Sequence, residues 1–250
     1  MRTRSRATQG AGLPGLRHPP RQPALRTTDP TARHVGTHVT RPSGFWDSRF
    51  AEDGYAYGTE PNDFVRDCAA AIPAGRVLCL GEGQGRNAVF LASRGFDVTA
   101  MDQSAVGLER AEALARERGV RIATLAADLT DFEIASGAWS GIVSVFIHLP
   151  TALRRRVPRR GVAGLAPGGA FVFEAYTPRQ LEFRTGGPED TDRLAPVAVL
   201  VEELGGLEFE IAREVEREVV EGRYHTGRAA TAQVLARRPH GERLARAGTP

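Results

Sequence analysis

The chain has 250 residues, of which 41% are hydrophobic and 25% are charged, with a formal net charge of +3. These values are ordinary for one globular domain. No apolar run approaches the roughly 20 residues of a membrane span, and no apolar signal-peptide core lies near the start. The two cysteines do not make a disulfide framework. We therefore expect a cytoplasmic protein with no membrane partner. All basic residues are arginine, so a lysine base is excluded.

Residues 1–41 are rich in Arg, Pro, Thr and Gly, and we predict that they form a disordered basic extension. They hold eight arginines and one acid, whereas the remainder holds 25 arginines and 29 acids. Three explanations of this extension are open. It is a natural flexible arm, it is an arm that binds anionic partners, or the gene has been read from too early a start and translation begins near Val35 or Val39. The absence of interleaved aromatic residues disfavours the binding arm. The acidic remainder argues against a nucleic-acid substrate.

Residues 45–72 are predicted to form a helical lead-in that acts as a lid, with Trp46 in the lid or the core. Asn62, or the proline before it, starts a helix in this stretch. We expect Tyr55 and Tyr57 to cover a bound cofactor.

Residues 77–102 hold the most informative pattern of the chain. An apolar strand at 77–80 is followed by a glycine-rich turn, a helix at 86–93 and a second strand at 96–101, which Asp102 closes. The glycines stand at alternate positions: Gly81, Gly83 and Gly85. Because glycine has no side chain, such a turn lets a ligand approach the main chain.

Alternating helices and strands continue after Asp102. Ser104 caps the next helix, and strands are predicted at 120–126 and 140–147. The following helix, 151–165, contains Pro158, which should kink or split it. Its five arginines favour a solvated face, with an acidic partner as the alternative.

The C-terminal part is predicted to contain a fifth strand at 170–176 and then two strands, 208–220 and 229–237, joined by a glycine-bounded turn. His225 lies in that turn, and we expect it to be exposed. Residues 239–250 are predicted to be a flexible tail that follows a domain spanning 42–238.

The glycine turn and Asp102 together predict a site for a cofactor that contains ribose. Free amides at the helix start favour polar or negative groups, and the carboxylate can accept hydrogen bonds from ribose hydroxyls. Dinucleotide sites require G-x-G-x-x-G, but the third glycine position holds Arg86. The spacing therefore disfavours an NAD(P)-dependent oxidoreductase, which remains the alternative enzyme class.

The turn belongs to a series of motifs: FWDSRFAEDGYAYGTEPNDF at 45–64, LGEGQGRNAVFLA at 80–92, AADLTDF at 126–132, SVFIHLP at 144–150, LAPGGAFVFEAYTP at 165–178 and EGRYHTGRAATAQVLARR at 221–238. Their order resembles the class I S-adenosylmethionine-dependent methyltransferases, and especially the small bacterial tellurite-resistance and thiopurine-type enzymes. The resemblance covers roughly 45–238. It implies an α/β fold with a Rossmann-like seven-stranded, mostly parallel sheet, a C-terminal antiparallel strand pair and helices on both faces.

The resemblance also implies S-adenosyl-L-methionine as cofactor and assigns its binding residues. The backbone of the three turn glycines contacts the methionine and ribose portions. Asp102 binds the ribose hydroxyls, Asp128 accepts from the adenine amino group, and Leu129 offers an amide and an apolar contact. A helix cap is the alternative role for Asp128.

The chain departs from the class pattern at one position. Most members carry an acid two residues before the first glycine, where this chain has Cys79. Glu82, inside the turn, either takes over a polar contact with the amino group of the cofactor or merely accepts backbone amides.

His148 follows the fourth strand and is the predicted catalytic base, because its unperturbed pKa suits proton transfer. A packed histidine that hydrogen-bonds the lid is the alternative. Direct displacement at a sulfonium methyl group needs no metal, and none is predicted. The resulting hypothesis is methyl transfer to a small molecule, such as a thiol or a chalcogen oxyanion. A non-catalytic S-adenosylmethionine-binding protein remains the alternative outside the enzymes.

Overall fold

The computed structural model describes residues 43–241. The predicted extension at 1–41 and residues 242–250 of the predicted tail lie outside this range. The helices are α1 (Ser43–Ala51), α2 (Asp63–Cys68), α3 (Arg86–Ser93), α4 (Ala105–Glu117), α5 (Thr151–Arg154), α6 (Val157–Gly164), α7 (Gln180–Phe183) and α8 (Val197–Glu203). The strands are β1 (Arg76–Leu80), β2 (Asp97–Asp102), β3 (Ala123–Ala126), β4 (Trp139–Val145), β5 (Leu165–Tyr176), β6 (Glu208–Val220) and β7 (Thr226–Arg237).

The seven strands form one sheet in the order β3-β2-β1-β4-β5-β7-β6. Strands β1 to β5 pair in parallel, and β7 lies antiparallel between β5 and β6. This arrangement confirms the predicted mostly parallel sheet with a C-terminal antiparallel pair. The carboxyl ends of β1 to β4 lie at one edge of the sheet, because parallel strands point the same way. The order in which successive strands are added to the sheet reverses between β1 and β4, and ligands of such sheets bind at this switch point.

The core lies on both faces of the sheet. In β1, Leu78 and Leu80 join the cluster that includes residues of α5, α6 and α8, whereas Val77 and Cys79 join the cluster that includes residues of α2, α3 and α4. This alternation follows the two-residue period of a strand. All four side chains are buried, as expected for a central strand with helices on both faces.

Helix ends agree with the sequence in several places. The side chain of Asn62 accepts the amide hydrogen of Val65 at the start of α2, and that of Ser104 accepts the amide hydrogen of Gly107 at the start of α4. Such caps satisfy backbone donors that have no partner within the helix.

The predicted break at Pro158 is confirmed. The helix is split into α5 and α6, with the proline in the first turn of α6, where its missing amide hydrogen costs nothing. Several strand ends differ from the prediction. Strand β5 begins at Leu165 rather than 170, because residues 167–169 form an irregularity in its pairing with β4 and lie inside the strand.

Candidate active site

A cavity of about 370 Å³ opens at the carboxyl ends of the parallel strands. The glycine turn after β1 and the end of β2 form its floor, and the segment after β4 forms one wall. Helix α1 and the turn between β6 and β7 close it from the other sides. The site residues predicted from sequence that border this cavity are Gly81, Glu82, Gly83, Asp102, Asp128, Leu129 and His148. Thus residues that are far apart in sequence meet at one place.

The glycine turn adopts a left-handed backbone at all three predicted positions, with φ of 53°, 60° and 90° at Gly81, Gly83 and Gly85. A Cβ on Gly83 would lie 2.8 Å from Cζ of Phe50, and one on Gly85 would lie 2.5 Å from Cβ of Ala111. Side chains are excluded here by backbone conformation and by close packing. The glycines therefore allow α1 and α4 to approach the turn.

The Glu82 carboxylate is buried and accepts the amide hydrogens of Asn87 and Ala88, both at 2.8 Å. It thus caps the start of α3, as one of the two interpretations of this residue predicts. Burial raises the pKa of Glu82 to about 7, although the two amide hydrogen bonds and Arg86 oppose the rise.

Asp102 links the two loops that border the cavity. One carboxylate oxygen accepts the amide hydrogen of Gly83 and the other accepts that of Ser104, each at 2.8 Å. Burial raises the pKa of this carboxyl group, and these hydrogen bonds oppose the rise. Asp102 therefore fixes the shape of the glycine turn.

Asp128 and Leu129 follow β3 at the same edge. Asp128 is exposed, and its side chain accepts the amide hydrogen of Thr130 at 2.7 Å. Arg160 of α6 donates to the carbonyl oxygens of Leu129, Thr130 and Phe132 at 3.1–3.3 Å.

The arginines of α5 and α6 are only partly a solvated face. Arg155, Arg156 and Arg159 are exposed as predicted. Arg154 instead pairs with the buried Glu203 at 2.9 Å, and Arg160 holds the loop after β3. Sequence spacing could not separate these two groups, because their partners lie on distant segments.

His148 borders the cavity with a ring that is already engaged. Its Nε2 accepts the amide hydrogen of Tyr176 at 3.2 Å, and the two rings stack with centroids 5.3 Å apart. Arg193 donates to the His148 carbonyl oxygen. Since one ring nitrogen is an acceptor in this bond, its lone pair is not available to a substrate proton.

The prediction that His225 is exposed is wrong. Its side chain is 8% exposed and borders the cavity. The turn that carries it docks on the lead-in segment, where Arg223 donates its amide hydrogen to the Ala56 carbonyl oxygen at 3.0 Å. The burial of His225 follows from this contact between the two ends of the described chain.

Of the aromatic residues predicted for the lid, Tyr57 and Trp46 border the cavity. Tyr55 does not, because its ring packs beside Val89 and Leu114 on α3 and α4. Trp139 lies in the core.

Sequence reasoning missed the role of Arg86, which it considered only as a departure from the dinucleotide pattern. Its side chain is buried, borders the cavity and pairs with Glu221 at 2.6 Å. Its Nη1 has no hydrogen-bond partner among the described residues. The signal that could have found it is an arginine directly after the glycine turn, where a buried position requires a partner.

Within 43–241, no group of His, Cys, Asp and Glu side chains is arranged to hold a metal ion, and no helix is long and apolar enough to cross a membrane.

The sheet order and the position of the cavity define the fold of the class I S-adenosylmethionine-dependent methyltransferases. Residues 77–169 match the family described as Methyltransferase domain. This stretch is therefore similar to that family, and the predicted resemblance of the chain to the class I methyltransferases is confirmed.

A curated relative supports the same class. The 2-heptyl-1-hydroxyquinolin-4(1H)-one methyltransferase of Mycobacteroides abscessus is 28% identical over 127 residues, which cover 50% of this chain and 53% of that protein. The chain thus spans about half the length of this relative.

Three solved structures share the fold. A protein studied for the conversion of a disulfide bond into a thioacetal group during echinomycin biosynthesis has a TM-score of 0.65 at 17% identity, covering 80% of this chain and 93% of its own. TehB from Haemophilus influenzae has a TM-score of 0.61 at 24% identity, and the match covers 72% of this chain and 63% of TehB. The N-methyltransferase NodS from Bradyrhizobium japonicum has a TM-score of 0.55 at 18% identity, and the match covers 71% of this chain and 93% of NodS.

Proposed function

We propose that the protein transfers a methyl group from S-adenosyl-L-methionine to a small-molecule acceptor. The observation that carries this proposal is the cavity at the strand ends, bordered by a glycine turn and by the acid that closes β2. When bound, the cofactor supplies an electrophilic methyl group on a positively charged sulfur. The residues of the chain then have to bind the two reactants, orient them and exclude water. Such positioning can supply much of the rate enhancement.

Asp102 suits the ribose even though it already holds the turn. An ionised carboxylate offers about four acceptor sites, and the backbone amides of Gly83, Gln103 and Ser104 use three of them. The remaining site is available to a hydroxyl donor at the border of the cavity. This observation supports the assignment of Asp102 to the cofactor ribose.

Arg86 suits the methionine carboxylate. Its unpartnered Nη1 is buried at the border of the cavity, and a guanidinium group binds carboxylates through strong charge-assisted hydrogen bonds. A bound carboxylate would accept a hydrogen bond from this donor while Nη2 keeps its ion pair with Glu221. We therefore place the amino-acid end of the cofactor near Arg86, with Gly81 and Glu82 beside it.

The adenine end is assigned to the loop after β3. Asp128 keeps one carboxylate oxygen on the Thr130 amide, so the other suits the adenine amino group, and Leu129 gives an apolar contact. Arg160 holds this loop from outside the cavity and acts as a positioning residue.

The acceptor is proposed as a small molecule with a nucleophilic heteroatom. The sequence resemblance favours a thiol or a chalcogen oxyanion, whereas the curated relative is named for a 1-hydroxyquinolone. His148 remains the sequence-based proposal for the base, although its bond to the Tyr176 amide would have to break before Nε2 could take a proton.

Calorimetric titration of the full chain with S-adenosylmethionine, S-adenosylhomocysteine and NADH tests the cofactor. We expect the two adenosyl compounds to bind and NADH not to bind; binding of NADH alone would replace the proposal by the oxidoreductase alternative. Formation of S-adenosylhomocysteine with 2-heptyl-1-hydroxyquinolin-4(1H)-one, thiophenol or tellurite would then separate an enzyme from a protein that only binds the cofactor.

A further inference from the structure

His225 occupies an unusual place for a histidine in a hairpin turn. Its ring centroid lies 4.6 Å from those of Tyr57 and Phe146 and 5.4 Å from that of Tyr176. The ring therefore forms part of an aromatic wall of the cavity. Phe50 and Tyr224 extend this wall.

The buried Nδ1 of His225 has no hydrogen-bond partner within 43–241. Burial of a polar atom without a partner is unfavourable, and in folded proteins such atoms are rare and often belong to functional sites. The contrast with His148 is direct, because the Nε2 of that residue already accepts a backbone amide hydrogen. Of the two histidines at the cavity, His225 is the one with a buried ring nitrogen, Nδ1, that has no hydrogen-bond partner among the described residues.

Phe146, which packs edge-to-face against His225, has a strained backbone. Its φ is 52°, a left-handed conformation that is rare for a bulky residue. The hydrogen bond from its amide to the Glu174 carbonyl oxygen, at 2.7 Å, holds it there. Strain of this kind collects at binding and catalytic sites. In this conformation the ring of Phe146 stands beside both histidines.

We propose that His225 contacts the methyl acceptor and takes its proton, and that the acceptor is a flat aromatic molecule with an acidic O–H or S–H group. This inference rests on the proposed methyl transfer and names the acceptor side of the same cavity. Aromatic walls favour aromatic ligands, because offset and edge-to-face contacts between rings are favourable. His225 is the polar group within that wall.

The proton balance is simple. The O–H or S–H proton passes to an imidazole nitrogen of His225, and the electron pair left on the oxygen or sulfur forms the bond to the methyl carbon. The carbon–sulfonium bond breaks, and its pair stays on sulfur as a neutral thioether. The imidazolium then releases its proton to water.

The surroundings of His225 keep it neutral, which is the form that can accept a proton. Burial lowers its pKa well below the ordinary range, and nearby cationic groups lower it further. The titratable and charged groups around the ring are Arg49 on α1, Tyr57 after α1, Arg86 on α3, His148 after β4, Tyr176 on β5 and Arg217 on β6. The same cations favour the ionised form of an acidic acceptor.

The test compares the full-length protein with H225Q, with H148Q as the variant of the competing base, and with H240Q, at an exposed position outside the cavity, as the control. The acceptor is 2-heptyl-1-hydroxyquinolin-4(1H)-one. We expect kcat/KM of the unaltered protein to be independent of pH between about 6.5 and 8.5, because its base is already neutral there. In H225Q we expect kcat/KM to fall about 100-fold at low pH and to rise with pH as the acceptor ionises. H240Q should keep the unaltered rate and the flat profile, and H148Q should keep a flat profile whatever its rate.

A flat profile at the unaltered rate in H225Q would overturn the proposal, as would a pH-dependent loss in H148Q alone. A second measurement covers the case in which H225Q does not fold. In the unaltered protein saturated with S-adenosylhomocysteine, the acceptor should shift the imidazole ¹⁵N resonances of His225, and unchanged resonances would overturn the contact.

Failure of the underlying function is distinguishable. If S-adenosylhomocysteine does not bind the unaltered protein, the methyltransferase proposal and this inference both fall. If S-adenosylhomocysteine binds but neither the quinolone nor thiophenol is methylated, the aromatic acceptor class is overturned while the cofactor assignment stands.

Discussion

Arg86 at the start of α3 and Glu221 after β6 form a buried ion pair, with Nη2 and Oε2 2.6 Å apart. Glu221 also accepts from Asn62 at 3.0 Å and from Arg217 at 2.9 Å. The pair therefore joins the cofactor side of the cavity to the C-terminal hairpin and to the lead-in. This buried network holds together segments that no regular backbone pairing connects.

Removing one partner of this pair should destabilise the fold. We expect E221Q to lower the free energy of unfolding by about 3 kcal/mol, because it leaves the buried charge of Arg86 without its counter-ion. Urea denaturation measures the change. E218Q, at an exposed position of β6, should stay within about 0.5 kcal/mol of the unaltered protein, and equal stabilities of the two variants would contradict the prediction.

Asp102 should affect both binding and stability. In D102N an amide nitrogen replaces one oxygen and faces a backbone donor, so the turn loses one of its two anchors. We expect the Kd for S-adenosylhomocysteine to rise at least about tenfold and the free energy of unfolding to fall by about 1–2 kcal/mol. Calorimetry and urea denaturation check these values. D97N, at the exposed start of the same strand, should change neither, and unaltered affinity in D102N would remove the ribose assignment.

The raised pKa of Glu82 predicts how the free energy of unfolding changes with pH. Its pKa is about 7 in the folded protein and near 4.5 in an unfolded chain, so the folded state binds more protons between these values. The contribution of this group to stability is therefore fully present below about pH 4.5 and is lost as the pH rises to about 7. Urea denaturation from pH 4.5 to 8 should show that E82Q lacks this pH-dependent component of the free energy of unfolding, roughly 3 kcal/mol. Identical pH dependence of stability in E82Q and the unaltered protein would refute the raised pKa of Glu82.

Arg160 should act on cofactor affinity without contacting the cofactor. Its hydrogen bonds to three carbonyl oxygens hold the loop of Asp128 and Leu129, and hydrogen bonds from a charged group are worth about 1.5–3 kcal/mol. We expect R160A to weaken S-adenosylhomocysteine binding about tenfold while kcat at saturating cofactor is retained. Exposed Arg159 on the same helix provides the control R159A. A loss of kcat with unaltered affinity would assign Arg160 a different role.

The part of the cavity around the glycine turn and Asp102 could be predicted because its signals are local. Between Val77 and Asp102, strand, turn, helix and strand follow within 26 residues, and each has its own composition or glycine pattern. Parallel pairing of β1 with β2 then places Asp102 beside the glycine turn without further information. The fold follows from the same alternation repeated along the chain.

The rest of the cavity could not be predicted, because it depends on contacts between distant segments. His225 is buried only because its turn docks against Ala56 and Tyr57, and no local pattern shows that contact. Arg154 and Arg160 differ from their exposed neighbours only through Glu203 and the loop after β3. The left-handed conformation of Phe146 likewise depends on its bond to Glu174 rather than on its own sequence.

The docking of the β6–β7 turn on the lead-in has a consequence for how such a protein diversifies. The segments 43–58 and 221–225 both border the cavity, yet neither contributes a strand to the parallel half of the sheet. Recombination that replaces both segments together would therefore reshape this part of the cavity while the parallel sheet stays the same. Replacement of either alone would mismatch the turn and the lead-in. The two segments are expected to evolve as a single cassette.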